Sequence, residues 1–378
     1  MRICSIITSF TSGGAEMLVC NLAEAFAGAG HATTVISLSD AAQVGNAPGI
    51  ETAMMARMRQ AGAAAVSLGL ANRNNWLTGA LALRRALRSI RPDVIHAHTA
   101  RALFPLALAM PGVPVVLTHH NSRLSFPPAA FALFDRIVDS YVAISDQCEA
   151  LLRGHARKPI RMILNAASAR FQTQQPRSAA GHDPMILAVG TVSEQKDYPT
   201  LLRAARPLSD ALTVQGRTAR ICIAGAGPQF DQLRAQAAGE PVELLGVRDD
   251  IDALMRQADL FVNCSLWEGF PIAMIEAAMS GLPIVATAVA GNREMVMPGV
   301  NGQLVPPSDP AALAEAILET LRKDAHYAAL SQGALQAARR FSIENCVAAH
   351  LSLYQELIDA RRAPLRASPL IRPISPCE

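Results

Sequence analysis

Short apolar runs alternate with longer amphipathic stretches along nearly the whole chain. Runs rich in valine and isoleucine and bounded by turn residues predict buried parallel strands, and the stretches between them predict crossover helices. In the first half, strands are predicted within RICSIITSF, TTVISL, DVIHAH, VPVVLTHH and SYVAIS. In the second half, they are predicted within MILAVGTV, RICIAGAG, VELLG, DLFVNCS, PIVATAV and QLVPP. This alternation predicts an α/β protein with two parallel sheets.

A polar segment without hydrophobic periodicity, QTQQPRSAAGHDP, separates the two halves. It predicts a linker at 172–184, between an amino-terminal Rossmann-like domain of residues 1–171 and a carboxyl-terminal Rossmann-like domain of residues 185–342. The last segment, 361–378, is rich in proline and arginine, which predicts a disordered tail.

Charge is distributed unevenly between the halves. The net charge is +3, but residues 1–180 carry 17 basic and 9 acidic side chains, whereas the remaining residues carry 17 and 22. A basic first half indicates an anionic partner on that side, such as a lipid surface or a pyrophosphate-linked acceptor. The alternative is that arginine-rich helices such as LRRALRSIR are simply solvated faces.

Cysteine usage and hydropathy indicate the compartment. The seven cysteines show no CxxC spacing and lie mostly in apolar runs, so we expect reduced core residues rather than zinc ligands or disulfides. The first residues predict a β-strand and lack the cleavage site of a signal peptide. No apolar stretch reaches the roughly 18 residues that span a bilayer. We therefore expect a cytoplasmic protein whose membrane association, if any, is peripheral.

Two glutamates stand eight positions apart in LWEGFPIAMIEAAMSGLPIVATAVAGNREMV. Glu268 follows a predicted strand, at the end where α/β sheets bind ligands. Gly269 lets the backbone approach a ligand, and Pro271 suits the first turn of a helix. That helix, predicted over 272–279, points its free N–H groups at the same crevice and carries Glu276 about two turns in. Either glutamate alone is equally well explained as a dipole partner or a solvated residue, but together they predict a ligand site.

Other residues with chemical potential also follow predicted strands. The turn of Gly13 and Gly14 permits close approach of a phosphate or a sugar. Lys196 is one of three lysines against 31 arginines, and a flexible ammonium near a helix start suits a diphosphate. Three histidines end strands on the ligand-facing edge of the first half: His98, His119 and His120. We interpret His96 instead as a hydrogen-bonded core residue.

Two motifs suggest other chemistry and are disfavoured. GAGPQF begins like a dinucleotide fingerprint, but Phe230 replaces the third glycine, and a lone GxG is weak. Asp250 and Asp252 imitate a metal-binding Asp-x-Asp. They open a predicted helix, where aspartates are expected as cap and first-turn residues. We therefore expect no metal and an activity that survives chelation by EDTA.

The order and spacing of seven motifs resemble the retaining glycosyltransferases of family 4 over roughly residues 1 to 350. Besides the two-glutamate segment, the motifs are SGGAEMLVCNLAEAFAGAGHATTVISL, PDVIHAHTA, LTHHN, AISDQCEALL, AVGTVSEQKDYPTLLRAA and ICIAGAGPQFDQL. The resemblance implies the GT-B fold, in which two Rossmann-like domains with parallel sheets face each other across a cleft. It also implies that a terminal helix at 343–360 crosses back to the first domain.

The resemblance further implies a function. The expected reaction moves a sugar, with retention, from a nucleotide-diphosphate sugar to a glycan or lipid-linked acceptor in cell-surface polysaccharide synthesis at the inner membrane face. No cofactor and no nucleic acid partner are expected. The implied catalytic residues are Glu268 near the sugar, Lys196 at the leaving group and His120 facing the sugar, with His119 as the alternative. The implied donor-binding residues are Gly14, Thr191, Gly225, Gly269, Phe270, Pro271, Glu276 at the ribose, and Asn292.

The chain departs from the family pattern at two places. Thr191 stands where the family has an arginine, so one of two cations that offset the departing diphosphate is missing unless Arg293 or another arginine substitutes. NAAS, beginning at Asn165, replaces an Asn-Gly-hydrophobic-Asp turn. An alternative function therefore stays open: a catalytically weak or inactive nucleotide-binding subunit of a glycan assembly complex.

Overall fold

A computed structural model describes residues 1–11, 13–44, 48–70, 76–109, 111–178 and 182–362. Cys377, residues 363–378 of the predicted tail and residues 179–181 of the predicted linker lie outside the described residues. The strands of the first half are β1 (Arg2–Ile7), β2 (Ala32–Ser37), β3 (Ala64–Ser67), β4 (Val94–Ala97), β5 (Val115–His119), β6 (Ser140–Ala143) and β7 (Ile160–Met162). Those of the second half are β8 (Met185–Val189), β9 (Arg220–Ala224), β10 (Val242–Gly246), β11 (Leu260–Asn263), β12 (Ile284–Thr287) and β13 (Gly302–Val305).

Helices connect these strands. The first seven are α1 (Gly14–Gly28), α2 (Pro48–Gln60), α3 (Trp76–Ile90), α4 (Leu103–Ala109), α5 (Phe131–Ile137), α6 (Asp146–Arg153) and α7 (Tyr198–Val214). The others are α8 (Phe230–Gln236), α9 (Ile251–Gln257), α10 (Ile272–Met279), α11 (Ala290–Arg293), α12 (Pro310–Thr320), α13 (Asp324–Ala338) and α14 (Ile343–Arg362).

The strands form two fully parallel sheets, as the alternation of apolar runs predicts. Their orders are β3-β2-β1-β4-β5-β6-β7 and β10-β9-β8-β11-β12-β13. Every predicted strand is present, and the α/β architecture is confirmed. β3 and β7 were not predicted, because these edge strands are short and their sequences, AAVS and IRM, lack a distinct apolar run.

Helix α10 joins the two halves. Apart from Glu276 it is apolar on all sides, and seven of its eight residues are buried, which is typical of a helix in the interior of a protein. It contacts α13 and α9 of its own half and α1 of the other. At its start, the side-chain amide of Asn165 donates to the Phe270 carbonyl at 2.9 Å, and the Phe270 ring packs on Phe341 at 5.1 Å between centroids. One apolar core therefore continues through both halves.

The terminal helix α14 packs back on the first half, where it contacts α1. The Tyr354 hydroxyl lies 2.5 Å from Nδ1 of His96 in β4, and the other ring nitrogen of His96 lies 2.6 Å from the Thr118 hydroxyl. All three groups are buried. His96 is thus the hydrogen-bonded core residue that the sequence predicts, and its partner comes from the far end of the chain. An exposed ion pair at 2.9 Å between Arg361 and Asp139 adds a second attachment.

The described cysteines are free and buried, which confirms their predicted place in the core. Burial raises the pKa of the Cys4 and Cys264 thiols to about 12, so these thiols stay protonated at neutral pH. No helix within the described ranges combines the length and the apolar character needed to cross a bilayer.

We expect Tyr354→Phe to lower the free energy of unfolding by about 1–3 kcal/mol, because it leaves a buried imidazole nitrogen without its partner. Arg361→Gln, on the same helix, is the matched control and should cost less than about 1 kcal/mol, since an exposed ion pair contributes little. Urea unfolding at pH 7.5 measures both. Equal losses in the two variants would contradict the assignment of the buried contact as the main attachment.

Candidate active site

A cavity of about 950 Å³ lies between the carboxyl ends of the two sheets. In each sheet the order of strands reverses beside the first strand, between β1 and β4 and between β8 and β11. Such switch points open a ligand-binding crevice in α/β sheets. A residue that follows each of these four strands lines this same cavity: Gly14, His98, Gly190 and Glu268. The cavity is therefore the candidate active site.

The cavity brings together all but two of the predicted site residues. Those lining it are Gly14, His120, Thr191, Lys196, Gly225, Glu268, Phe270, Pro271 and Glu276. Asn292 does not line the cavity. It is fully buried, and its side-chain amide donates to the Thr287 carbonyl at 2.9 Å. Gly269 is packed so tightly that a Cβ there would lie 2.4 Å from the His120 carbonyl oxygen. Neither residue is among those that line the cavity, and the direct donor contacts expected of them stay predictions.

Glu268 is held in place from several directions. Its carboxylate forms an ion pair with the Lys196 ammonium and accepts hydrogen bonds from the Ser265 hydroxyl at 2.7 Å and the Gln195 amide at 3.2 Å. The Glu268 residue is 5% exposed. These contacts fix the orientation of the carboxylate. Lys196 and Glu268, assigned separately to the leaving group and the sugar, thus form one charged unit in the cavity wall.

Glu276 has the opposite environment. It lies in the second turn of α10, is 7% exposed, and its carboxylate makes no hydrogen bond within the described chain. Burial raises its pKa to about 7, and the positive charges of Arg170 and Arg57 partly oppose that shift. A buried polar group is normally paired, and an unpaired one that faces a cavity is a candidate ligand contact.

Neutral histidines line the first-half side of the cavity. His120 Nε2 lies 3.1 Å from His98 Nδ1, and their rings are stacked with centroids 5.3 Å apart. Burial lowers the pKa of His120 to about 3 and that of His119 to about 4. Both His119 and His120 line the cavity. These imidazoles therefore offer neutral hydrogen-bonding groups at pH 7 and no positive charge.

Glycines shape two parts of the wall. Gly225 has φ +146°, and a Cβ there would lie 1.9 Å from the Gly190 carbonyl oxygen, so this glycine lets the loops after β8 and β9 touch. That packing explains the GxG of GAGPQF without a dinucleotide. Gly14 faces open space, because a Cβ added to it would meet no other atom within 4 Å. A ligand can therefore approach the backbone there closely, as predicted.

The Asp-x-Asp sequence does not form a paired-carboxylate site. Asp250 pairs with Arg248 at 2.6 Å, and Asp252 pairs with Arg256 at 2.8 Å, one helical turn away. Asp250 occupies the position before α9, as predicted for a cap, but its side chain makes no capping hydrogen bond. Within the described ranges, no three His, Cys, Asp or Glu side chains are grouped as metal ligands.

Sequence reasoning missed several charged residues that line the cavity: Glu16, Arg57, Arg170 and Arg248. Arg57 is paired with Glu24, whereas Arg170 is in no ion pair within the described chain and lies over the Phe171 ring at 4.9 Å. Its position just before the predicted linker, where the chain passes the cleft, was the available signal. Arg293 is exposed, donates to the Ala288 carbonyl at 2.8 Å and does not line the cavity.

Comparison with known proteins identifies the family. Residues 12–169 match the family Glycosyltransferase Family 4, and residues 183–323 match Glycosyl transferases group 1. The chain is 30% identical over 308 residues to D-inositol 3-phosphate glycosyltransferase 1 of Catenulispora acidiphila, a match that covers 71% of this chain and 73% of that protein.

A second relative is longer, and a solved structure shares the fold. Exopolysaccharide phosphotransferase SCO2592 of Streptomyces coelicolor is 27% identical over 296 residues, which are 75% of this chain but 31% of that protein. Anabaena Alr3699/HepE in complex with UDP-glucose has a TM-score of 0.76 and 21% identity, covering 94% of this chain and 99% of that one. The chain therefore belongs to glycosyltransferase family 4 and is a glycosyltransferase with the GT-B fold.

Proposed function

We propose that this glycosyltransferase moves a sugar, with retention, from a nucleoside-diphosphate sugar to a glycan or lipid-linked acceptor in cell-surface polysaccharide synthesis. The main observation is the pair of buried glutamates in one cavity: Glu268 forms an ion pair with Lys196, and Glu276 has no hydrogen-bond partner among the described residues. A relative named for exopolysaccharide and a similar fold solved with UDP-glucose support the classes of product and donor.

Glu276 is proposed to accept hydrogen bonds from the two ribose hydroxyls of the donor. A carboxylate has two oxygens and only acceptor capacity, which matches a vicinal diol. Because the described chain provides no hydrogen bond to this carboxylate, the ligand restores partners that burial has removed. The start of α10, just beyond Pro271, directs unpaired N–H groups toward the same region.

Lys196 and Arg170 are proposed to neutralise the diphosphate. The Lys196 ammonium has three hydrogens, so its contact with Glu268 leaves others for phosphate oxygens. Arg170 lines the cavity and forms no ion pair within the described ranges, and we propose that it supplies the cation that Thr191 lacks. With both charges supplied by the protein, the transfer is proposed to need no divalent metal.

The transfer itself depends on charge stabilisation. The bond between the anomeric carbon and the diphosphate breaks with its electron pair going to the phosphate, and the acceptor hydroxyl oxygen forms the new bond on the same face. Glu268 opposes the positive charge that develops on the sugar ring. His119 and His120 are poor bases, with pKa values of about 4 and 3. The acceptor proton is therefore proposed to pass to the departing phosphate.

One observation favours a second candidate function. Thr191 brings no positive charge to the loop after β8, which suits a nucleotide-binding subunit that turns over slowly or not at all. Incubating the purified protein with nucleotide sugars and measuring sugar release or transfer distinguishes the two. Donor binding with no turnover under any tested acceptor would support the subunit function.

We expect Glu276→Gln to abolish discrimination between UDP and 2′-deoxy-UDP. In the wild type, affinity for UDP should fall as pH drops from 8 to 6, because a Glu276 pKa of about 7 means that the carboxyl gains a proton and loses acceptor capacity over this range. The variant should bind UDP roughly 10-fold more weakly at pH 8, because the ligand loses a hydrogen bond to a charged group. Calorimetry at pH 6, 7 and 8 provides the affinities.

UDP and 2′-deoxy-UDP carry the same phosphates, so titration of the phosphates affects both affinities equally. A difference between the two affinities therefore reports the ribose contact alone. The ratio of their affinities should vary with pH in the wild type and stay constant in Glu276→Gln. A wild-type ratio near one at pH 8 would reject the assignment of Glu276 to the ribose.

We expect Arg170→Gln to lower kcat by roughly 10-fold or more, because a cation facing the leaving group stabilises the transition state more than the ground state. Arg293→Gln is the matched control, since that arginine is exposed and outside the cavity wall. Steady-state kinetics with the best donor of a nucleotide-sugar panel measures both. Equal effects of the two substitutions would show that Arg170 acts only through net charge.

A further inference from the structure

The exposed face of α3 is unusual for a surface helix. Leu77 is 70% exposed and Leu81 is 57% exposed, whereas Leu83 and Leu87 of the same helix are buried. Spacings of four, three and four residues from Leu77 through Leu81 and Arg84 to Arg88 place these side chains in one line along the helix. The line therefore begins with two leucines and continues into arginines.

The arginines of this face have no counter-charge among the described residues. Arg84, Arg85 and Arg88 are exposed, and within the described chain none of them forms an ion pair. The sequence of α3, WLTGALALRRALRSI, contains no acidic residue. Three exposed arginines on other helices, Arg153, Arg234 and Arg256, pair with an acidic residue one turn away on the same helix. The charge on α3 is thus available to an external anion.

The two leucines are one helical turn apart on this face. Isolated exposed leucines are common on protein surfaces, but two in line with arginines that form no ion pair among the described residues are the pattern of an interfacial segment. The leucines fit the apolar depth of a bilayer surface and the arginines fit its anionic headgroups.

The position of α3 relates this face to the cavity. The helix starts after the carboxyl end of β3 and returns the chain to the amino end of β4, so its leucine end lies toward the cavity side of the sheet. From Leu77 to Arg88 the helix rises by roughly 16 Å. The arginines therefore lie farther from the cleft than the leucines do.

We propose that the face of α3 formed by Leu77, Leu81, Arg84, Arg85 and Arg88 docks this protein on an anionic lipid bilayer. Nucleic acid is the less favoured partner, because phosphate contacts alone give the exposed leucines no role. The inference deepens the proposed function by naming the surface at which a lipid-linked acceptor is met. Docking itself is measured without turnover, so it can be tested separately from the reaction.

The test is co-sedimentation of the full chain with vesicles of phosphatidylcholine containing about 30 mol% phosphatidylglycerol, and with phosphatidylcholine alone. The wild type should bind the anionic vesicles, and about 0.5 M salt should weaken that binding by screening. The triple variant R84Q/R85Q/R88Q and the double variant L77S/L81S should each bind roughly 10-fold more weakly, because charge and apolar insertion both contribute.

The control is R153Q/R234Q/R256Q, which removes the same charge from three exposed, paired arginines. Its vesicle binding should stay within about 2-fold of the wild type, because these arginines lie outside the proposed face. UDP affinity and thermal unfolding should match the wild type in all variants.

A wild type that does not bind anionic vesicles, or a control that loses as much binding as the α3 variants, overturns the proposal. Preserved binding in L77S/L81S together with equal affinity for a DNA duplex would indicate nucleic acid instead. A wild type that binds UDP but not anionic vesicles rejects only the docking surface, whereas a wild type that does not bind UDP rejects the donor site.

Discussion

The complete burial of α10 is the constraint on which the rest of the site depends. Because this helix is apolar on every side except at Glu276, it is stable only between other layers of the protein, and there it contacts helices of both halves. Its first turn is fixed by the contact of Asn165 with the Phe270 carbonyl. Glu268 just before the helix and Glu276 within it are consequently positioned by core packing rather than by a mobile loop.

Burial of Glu276 without a partner has a thermodynamic cost. The pKa of Glu276 is raised from 4.5 to about 7. The contribution of this group to the free energy of unfolding is therefore most favourable below pH 4.5 and is lost as the pH rises through 7. At neutral pH the protein therefore carries a partly ionised, poorly solvated carboxyl. A site that is destabilised until a ligand supplies hydrogen bonds is the usual form of a trade-off between stability and function.

Sequence predicted the architecture and the place of the site because both depend on local patterns. The bounds of α10 followed from Pro271 at its start and Gly281 beyond its end, and the strands followed from their apolar runs. Side-chain partners across long separations did not follow from such patterns. The ion pair of Lys196 with Glu268 joins residues 72 positions apart. Asn292 lies in α11, and its burial depends on how that helix packs. The spacing of residues in the sequence does not specify this packing.

The contact of Tyr354 with His96 also bears on biosynthesis. These residues are 258 positions apart, and the hydroxyl completes a histidine at the centre of the first sheet. A growing chain that has already made all strands of that sheet still lacks this partner until α14 leaves the ribosome. The first half therefore emerges with an incomplete core and reaches its final packing only after the second half has been synthesised.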